Sequence, residues 1–234
     1  MSDLTEAKIL ALIPAYNEGD RVAPVVRAAL AYLPVLVVDD GSNDGTAQHA
    51  LDAGAEVLSQ QPNQGKGAAL RAGFAAALER GYQAVLTLDA DGQHDPAEIP
   101  TFLAAYRRTG ADLIIGRRDF SSMPPVRRLA NTLGTALFSR AIRQPVPDNQ
   151  SGYRLISRRL LLAIQNNRES GFEFEVEMLV TCVLEKYSLD WVPIRTIYAG
   201  EKSHIHPLSH LAKFLQISWK AGRMVRAARN DLNG

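Results

Sequence analysis

The chain has 234 residues, 46% hydrophobic and 22% charged, with a formal net charge of +1, enough for one α/β domain with a substantial core but not for two full domains. This composition excludes a disordered polymer, and the basic residues form no recognised recognition motif, so no nucleic-acid partner is expected. No stretch reaches the ~20 apolar residues of a membrane span, the acidic start Met1 to Lys8 is unlike a secretory leader, and the single Cys182 can form no internal disulfide; a folded, soluble, cytoplasmic protein is expected.

Through the first half, short β-branched or leucine-rich runs alternate with helical segments, the pattern of a doubly wound, mostly parallel sheet with helices on both faces. Strands are expected at Ile9 to Ile13, Val35 to Asp39, Ala55 to Leu58, Ala84 to Leu88 and Asp112 to Ile115. The helices between them begin near Arg21, Asp44, Gly65 and Pro96, with Asp44 or Ser42 capping the second. Beyond Ile115 the pattern loosens: Met123 to Pro125 interrupts it, a helix runs from Val126 to Arg143, and Pro145 to Pro147 interrupts it again. Cys182 falls in an apolar helical pattern and reads as buried filler. From Pro207 to Arg229, Leu208, Leu211, Phe214, Leu215, Ile217 and Trp219 form an apolar helical face, with Lys213, Lys220, Arg223, Arg226 and Arg229 mostly elsewhere. Such a helix either packs onto the domain or lies on an anionic membrane surface.

Doubly wound sheets bind ligands beyond the carboxyl ends of their strands, and those positions are unusually polar here. Strand one is followed by Pro14 to Glu18 (PAYNE), strand two by Asp39 to Ser42 within VVDDGSNDGT, and strand four by Asp89 to His94 (DADGQH). At a strand end, two carboxylates spaced i, i+2 point to one side, so Asp89 and Asp91 can share a hard cation such as Mg2+ or Mn2+. Such an ion neutralises a departing nucleoside diphosphate. A solvated turn is the plain alternative for this triplet. Asp39 and Asp40 are placed to accept hydrogen bonds from a base N–H or ribose hydroxyls. Asn63 to Gly67 opens a helix whose N–H groups, with Lys66, can meet phosphate or ribose oxygens, although the string is neither a Walker loop nor a dinucleotide fingerprint.

Together these strings resemble glycosyltransferase family 2, in the branch typified by dolichol-phosphate mannose synthase and the polyprenyl-phosphate sugar transferases. The resemblance extends to Gly116 with Arg117 and to Asp148 to Arg154 (DNQSGYR). It implies a GT-A fold and inverting displacement at the anomeric carbon of a UDP- or GDP-linked sugar, with a polyprenyl phosphate or other lipid-like acceptor. Residues 1–200 would form the catalytic domain, with a donor half of about 1–116 and an acceptor half of about 117–200; residues 201–234 would supply a flap and a basic amphipathic helix.

By motif position, Pro14, Ala15, Tyr16, Glu18, Asp39, Asp40, Lys66, Asp89 and Ala90 would hold the donor, and Asp89, Asp91 and Gln93 the metal. Asp91, Asp148 and Arg117 are the catalytic candidates, with Asp148, or else Glu173, as base if the acceptor is a hydroxyl. Arg117, Arg127 and Arg154 suit an acceptor phosphate because a guanidinium fork binds two oxygens. Arg118 and Arg128 extend that basic stretch. Ser203 counts with these arginines as acceptor-binding and, with Lys202 and His204, belongs to a flap over the diphosphate or to a surface loop. Many members of the family carry transmembrane helices after the catalytic domain and this chain has none, so contact with the inner face of a membrane would be peripheral. Two other activities suit the same sheet: sugar nucleotidyl transfer, and a non-catalytic nucleotide-sugar-binding scaffold.

Overall fold

The computed structural model describes residues 7–120, 125–165, 173–195, 219, 221–223 and 225–226. The strands are β1 (Ile9–Ala15), β2 (Val35–Asp39), β3 (Glu56–Ser59), β4 (Ala84–Thr87), β5 (Leu113–Arg118), β6 (Arg154–Ser157) and β7 (Leu189–Ile194). The helices are α1 (Gly19–Leu30), α2 (Thr46–Asp52), α3 (Lys66–Glu79), α4 (Ile99–Thr109), α5 (Pro125–Ile142), α6 (Arg158–Ile164) and α7 (Glu173–Leu184), with a 3-10 turn at Pro96–Glu98 leading into α4.

The seven strands form one sheet in the order β3-β2-β1-β4-β6-β5-β7. All pairings are parallel except those of β6, which runs antiparallel to both β4 and β5. Period-two alternation makes this a three-layer structure. On β1, Ile9, Ala11, Ile13 and Ala15 face a core built with α1 and α4, whereas Leu10 and Leu12 face one built with α3, α5, α6 and α7. Both faces of the central strands are therefore apolar, which is why they read as continuous hydrophobic runs. At Gly73 of α3 an added Cβ would lie 2.3 Å from Leu12 Cδ1, so only glycine lets this helix settle so closely on the sheet.

Among the described residues, the five expected strands and helices α1 to α5 lie where the sequence places them. β6 and β7 were not anticipated: β6 is a four-residue strand opening on a buried arginine, and nothing in its alternation separates it from a loop. The expected cap of α2 is also different. Glycine occupies the cap position, and Asp44 instead ties α2 to α1, accepting from Thr46 N at 3.1 Å and from Gly19 N at 2.9 Å.

Cys182 is buried, as its helical pattern implies, and burial pushes its thiol up to about 12, leaving it inert. Of the C-terminal segment, the described residues are helical: Ala221 and Val225 join the second core, while Trp219 is exposed beneath the Arg223 guanidinium, 4.8 Å from its ring centroid. Among the described residues no helix is long and apolar enough to cross a membrane.

Candidate active site

The carboxyl ends of β1, β2 and β4 open on one edge of the sheet, because the three strands are parallel neighbours. A cavity of about 470 Å³ lies there, within the size range of small-molecule sites. One side is the loop after β1, contributing Pro14, Ala15, Tyr16 and Glu18; the other is the end of β4, contributing Asp89, Ala90 and Asp91. Between them stand Asp40 and the start of α3 with Asn63, Gly65 and Lys66.

Hydrogen bonds between loops fix this shape. Asn17 N donates to Ser42 Oγ at 2.9 Å, Asn43 N to Asn17 Oδ1 at 3.1 Å, and Glu18 N to Thr46 Oγ1 at 2.8 Å. The PAYNE and DDGSNDGT strings are thus two halves of one hydrogen-bonded rim. Asp40 is buried and accepts from Gln64 N at 2.9 Å and Gly65 N at 2.7 Å, anchoring the turn that starts α3. Asp39 lies behind the wall, its Oδ1 accepting from Ser42 N at 3.3 Å. Both aspartates therefore shape the rim through backbone amides, a role that their expected contact with a nucleoside did not foresee.

At the end of β4 the charges are tightly arranged. Asp89 Oδ1 is 2.6 Å from Lys66 Nζ, and Lys66 is also 3.3 Å from Glu175 Oε1 on α7. Burial alone would push the Asp89 carboxyl up, but the adjacent Lys66 ammonium outweighs it and holds the group down at about 2. Burial likewise works against the Lys66 ammonium, and Asp89 and Glu175 keep its pKa above the usual amine range. Both are charged at neutral pH. His94 accepts from Asp89 N through Nδ1 at 3.1 Å and packs on Tyr153, their ring centroids 5.1 Å apart. Burial lowers its pKa, so it is a neutral imidazole with its proton on Nε2. Asp91 accepts from Gln93 N at 2.9 Å, and burial, with Asp89 nearby, raises its pKa.

Two hard carboxylates on one cavity wall fit Mg2+ or Mn2+. Among the described residues there is no cluster of three or more His, Cys, Asp or Glu side chains placed to hold a metal. That suits such ions, which are commonly held by one or two carboxylates and complete their shell with substrate phosphate and water. Gln93 does not line the cavity; its backbone N–H steadies Asp91.

Two expected roles need correction. Asp148, the proposed base, is fully buried and accepts from Arg118 Nε at 2.7 Å and Nη2 at 2.9 Å, and from Gln150 N at 3.0 Å. A carboxylate locked in a two-pronged pair has no path to an acceptor proton. Arg154, the proposed acceptor ligand, is 1% exposed. Its guanidinium donates to the backbone carbonyls of Ser151, Asn149 and Glu175, so it braces the DNQSGYR turn from within the protein. Arg117 is exposed at the carboxyl end of β5, on the same sheet edge as the cavity. Arg127 lies in α5 with its side chain outside the described residues, as is that of Glu173; Ser203 and the rest of the flap are wholly outside them.

Glu175 and Gly152 were missed. A Cβ on Gly152 would stand 2.8 Å from Asp89 Oδ2 and 3.0 Å from Lys66 Nζ, so this glycine makes room for the charge cluster. The only signal was its place in the SGYR string. Gly152→Ala is expected to lower catalytic turnover about a hundredfold while the fold survives, since misplacing reacting groups by about 1 Å costs this much; steady-state kinetics beside a thermal melt will check it.

The Glycosyl transferase family 2 profile matches residues 11–164. The chain belongs to that family. It is 34% identical over 186 residues to the undecaprenyl-phosphate mannosyltransferase of Micrococcus luteus, covering 73% of this chain and 76% of that one. It is 32% identical over 203 residues to the polyprenol monophosphomannose synthase of Mycolicibacterium smegmatis, covering 80% and 76%. In structure it resembles the glucosyl-3-phosphoglycerate synthase of Mycobacterium tuberculosis in complex with uridine diphosphate, with a TM-score of 0.73 at 21% identity, covering 94% and 82% of the two chains. That likeness identifies the GT-A fold. The protein is a glycosyltransferase, and family membership sets aside the nucleotidyl-transfer and scaffold alternatives. In this glycosyltransferase the cavity lies at the carboxyl edge where doubly wound folds bind nucleotides.

Proposed function

We propose that this glycosyltransferase moves a sugar from a UDP- or GDP-linked donor to a polyprenyl phosphate or similar lipid-like acceptor, with inversion at the anomeric carbon. The observation that carries the reading is the joint placement of Asp89, Asp91 and Lys66 on the wall of a nucleotide-sized cavity. The rim of Pro14, Ala15, Tyr16, Glu18 and Asp40 receives the nucleoside, and Lys66 faces the diphosphate. Asp89 and Asp91 would hold Mg2+ or Mn2+, which when bound would supply a Lewis acid to the departing diphosphate. Solved structures of the same fold support this, since the M. tuberculosis synthase has been seen with Mn2+ and uridine diphosphate.

An acceptor oxygen then forms its bond to the anomeric carbon as the bond to the donor's β-phosphate oxygen breaks on the opposite face. A phosphate acceptor is already ionised near neutral pH and needs orientation more than deprotonation. The burial of Asp148 against Arg118 favours such an acceptor over a hydroxyl. Arg117 is exposed on the right edge to pair with that phosphate. The named relatives, an undecaprenyl-phosphate mannosyltransferase and a polyprenol monophosphomannose synthase, carry names that agree with this class. The exposed Trp219 and Arg223 of the C-terminal helix suit contact with an anionic membrane surface.

Two measurements test the reading. In calorimetry, uridine or guanosine diphosphate is expected to bind at least about tenfold more tightly with Mn2+ than with chelator, through the bridging charge; equal affinity would remove the metal from the site. In a radiolabelled transfer assay, polyprenyl phosphate is expected to accept sugar and the matching free polyprenol to accept none. Transfer to the alcohol alone would overturn the phosphate assignment.

A further inference from the structure

Lys66 stands between two carboxylates of unlike exposure. Asp89 opens onto the cavity with its side chain 27% exposed, whereas the Glu175 side chain is 3% exposed behind Lys66. Nζ is 2.6 Å from Asp89 Oδ1 and 3.3 Å from Glu175 Oε1, so it is seated mainly on Asp89. Glu175 Oε2 is buried with no hydrogen-bond partner among the described residues. A buried carboxylate oxygen left without a donor is costly, and a second interaction with a nearby ammonium relieves that cost. Gly152 offers no side chain on the adjacent wall, where a Cβ would lie 3.0 Å from Nζ, so the lysine head has room to turn.

We propose that Glu175 is a positioning residue that draws Lys66 off Asp89 when a divalent cation binds there, so that lysine and metal compete for one carboxylate under the control of a buried glutamate. The inference rests on the metal reading of Asp89 and Asp91. A divalent ion and an ammonium repel each other across a shared carboxylate, and the flexible lysine is the one that can yield. Glu175 supplies the place to which it yields. An ammonium has three N–H donors, so Lys66 held by Glu175 keeps others for a diphosphate oxygen.

The test is a double-mutant cycle read by Mn2+ binding, with the free-ion signal followed by electron paramagnetic resonance, on the full chain without nucleotide. Lys66→Gln is expected to bind Mn2+ more tightly, and Glu175→Gln about tenfold more weakly than the parent, a coupling of the size found between residues in contact. In the Lys66→Gln background, Glu175→Gln is expected to change affinity less than about twofold. A weakening that persists at full size in that background would mean that Glu175 acts through structure or general charge, and would overturn the proposal. So would a Glu175→Gln protein that binds as the parent does. If Glu175→Gln proves unfolded by circular dichroism, Glu175→Asp replaces it in the cycle and is held to the same outcomes. Absence of Mn2+ binding by the parent and by Lys66→Gln alike would sink the metal reading as well, whereas the other failures leave it standing.

Discussion

Replacing Asp89 by asparagine is expected to lower sugar transfer roughly 10³-fold, the several kcal/mol that a metal contributes to a developing negative charge. It should also abolish the metal dependence of nucleoside diphosphate binding. The substitution keeps the size of the side chain and removes only its charge. What it removes is specific: the carboxylate at the end of β4 that Lys66 holds at 2.6 Å and whose pKa is kept down at about 2. Because folding lowers this pKa, the stabilisation from the pair is complete above the unfolded carboxylate value of about 3.9 and fades as pH falls towards about 2. Steady-state rates with Mn2+ and with chelator, at neutral pH, will decide the matter. An Asp89→Asn enzyme that keeps a tenth of its activity and still responds to Mn2+ would place the metal elsewhere.

Asp148→Ala is the second large effect, and it is expected in stability before chemistry. Asp148 is fully buried and paired with Arg118 through two hydrogen bonds, while the Arg118 side chain is 15% exposed. Removing one partner of a buried pair strands the other and costs about 3–5 kcal/mol. For a domain of this size that corresponds to a fall of about 10 °C in Tm. Arg118→Ala should cost a similar amount, and the double variant less than the sum of the two, because neither charge is then left alone. Thermal melts of the three variants check this. A general base would give the opposite pattern, with transfer lost at an unchanged Tm, so the experiment separates the role expected from the sequence from the one the fold assigns.

Much of the fold was legible because its periodicities are local. The runs Ile9 to Ile13, Val35 to Asp39 and Ala84 to Leu88 announce buried parallel strands, and polar residues immediately after them announce a ligand edge. β6 escaped because four residues carry too little alternation to distinguish strand from loop, and because its first residue, Arg154, is a charged side chain whose N–H groups are satisfied inside the protein by three backbone carbonyls. No local pattern reveals that those carbonyls will be there.

The sequence by itself determined the family, the doubly wound sheet and the placing of Asp89, Asp91 and Lys66 at its carboxyl edge, since each depends on residue type and on spacing along one strand or one helix start. Only the tertiary structure decided that Asp148 and Arg154 are bound from within, that Asp40 anchors a neighbouring turn, and that Glu175 stands behind Lys66. Those outcomes depend on which segments meet, 86 residues apart for Asp89 and Glu175 and 30 for Arg118 and Asp148. A carboxylate in the sequence is only a charge; whether it serves as a base, a ligand or a brace is set by the donors that the fold brings to its oxygens and by the water it excludes.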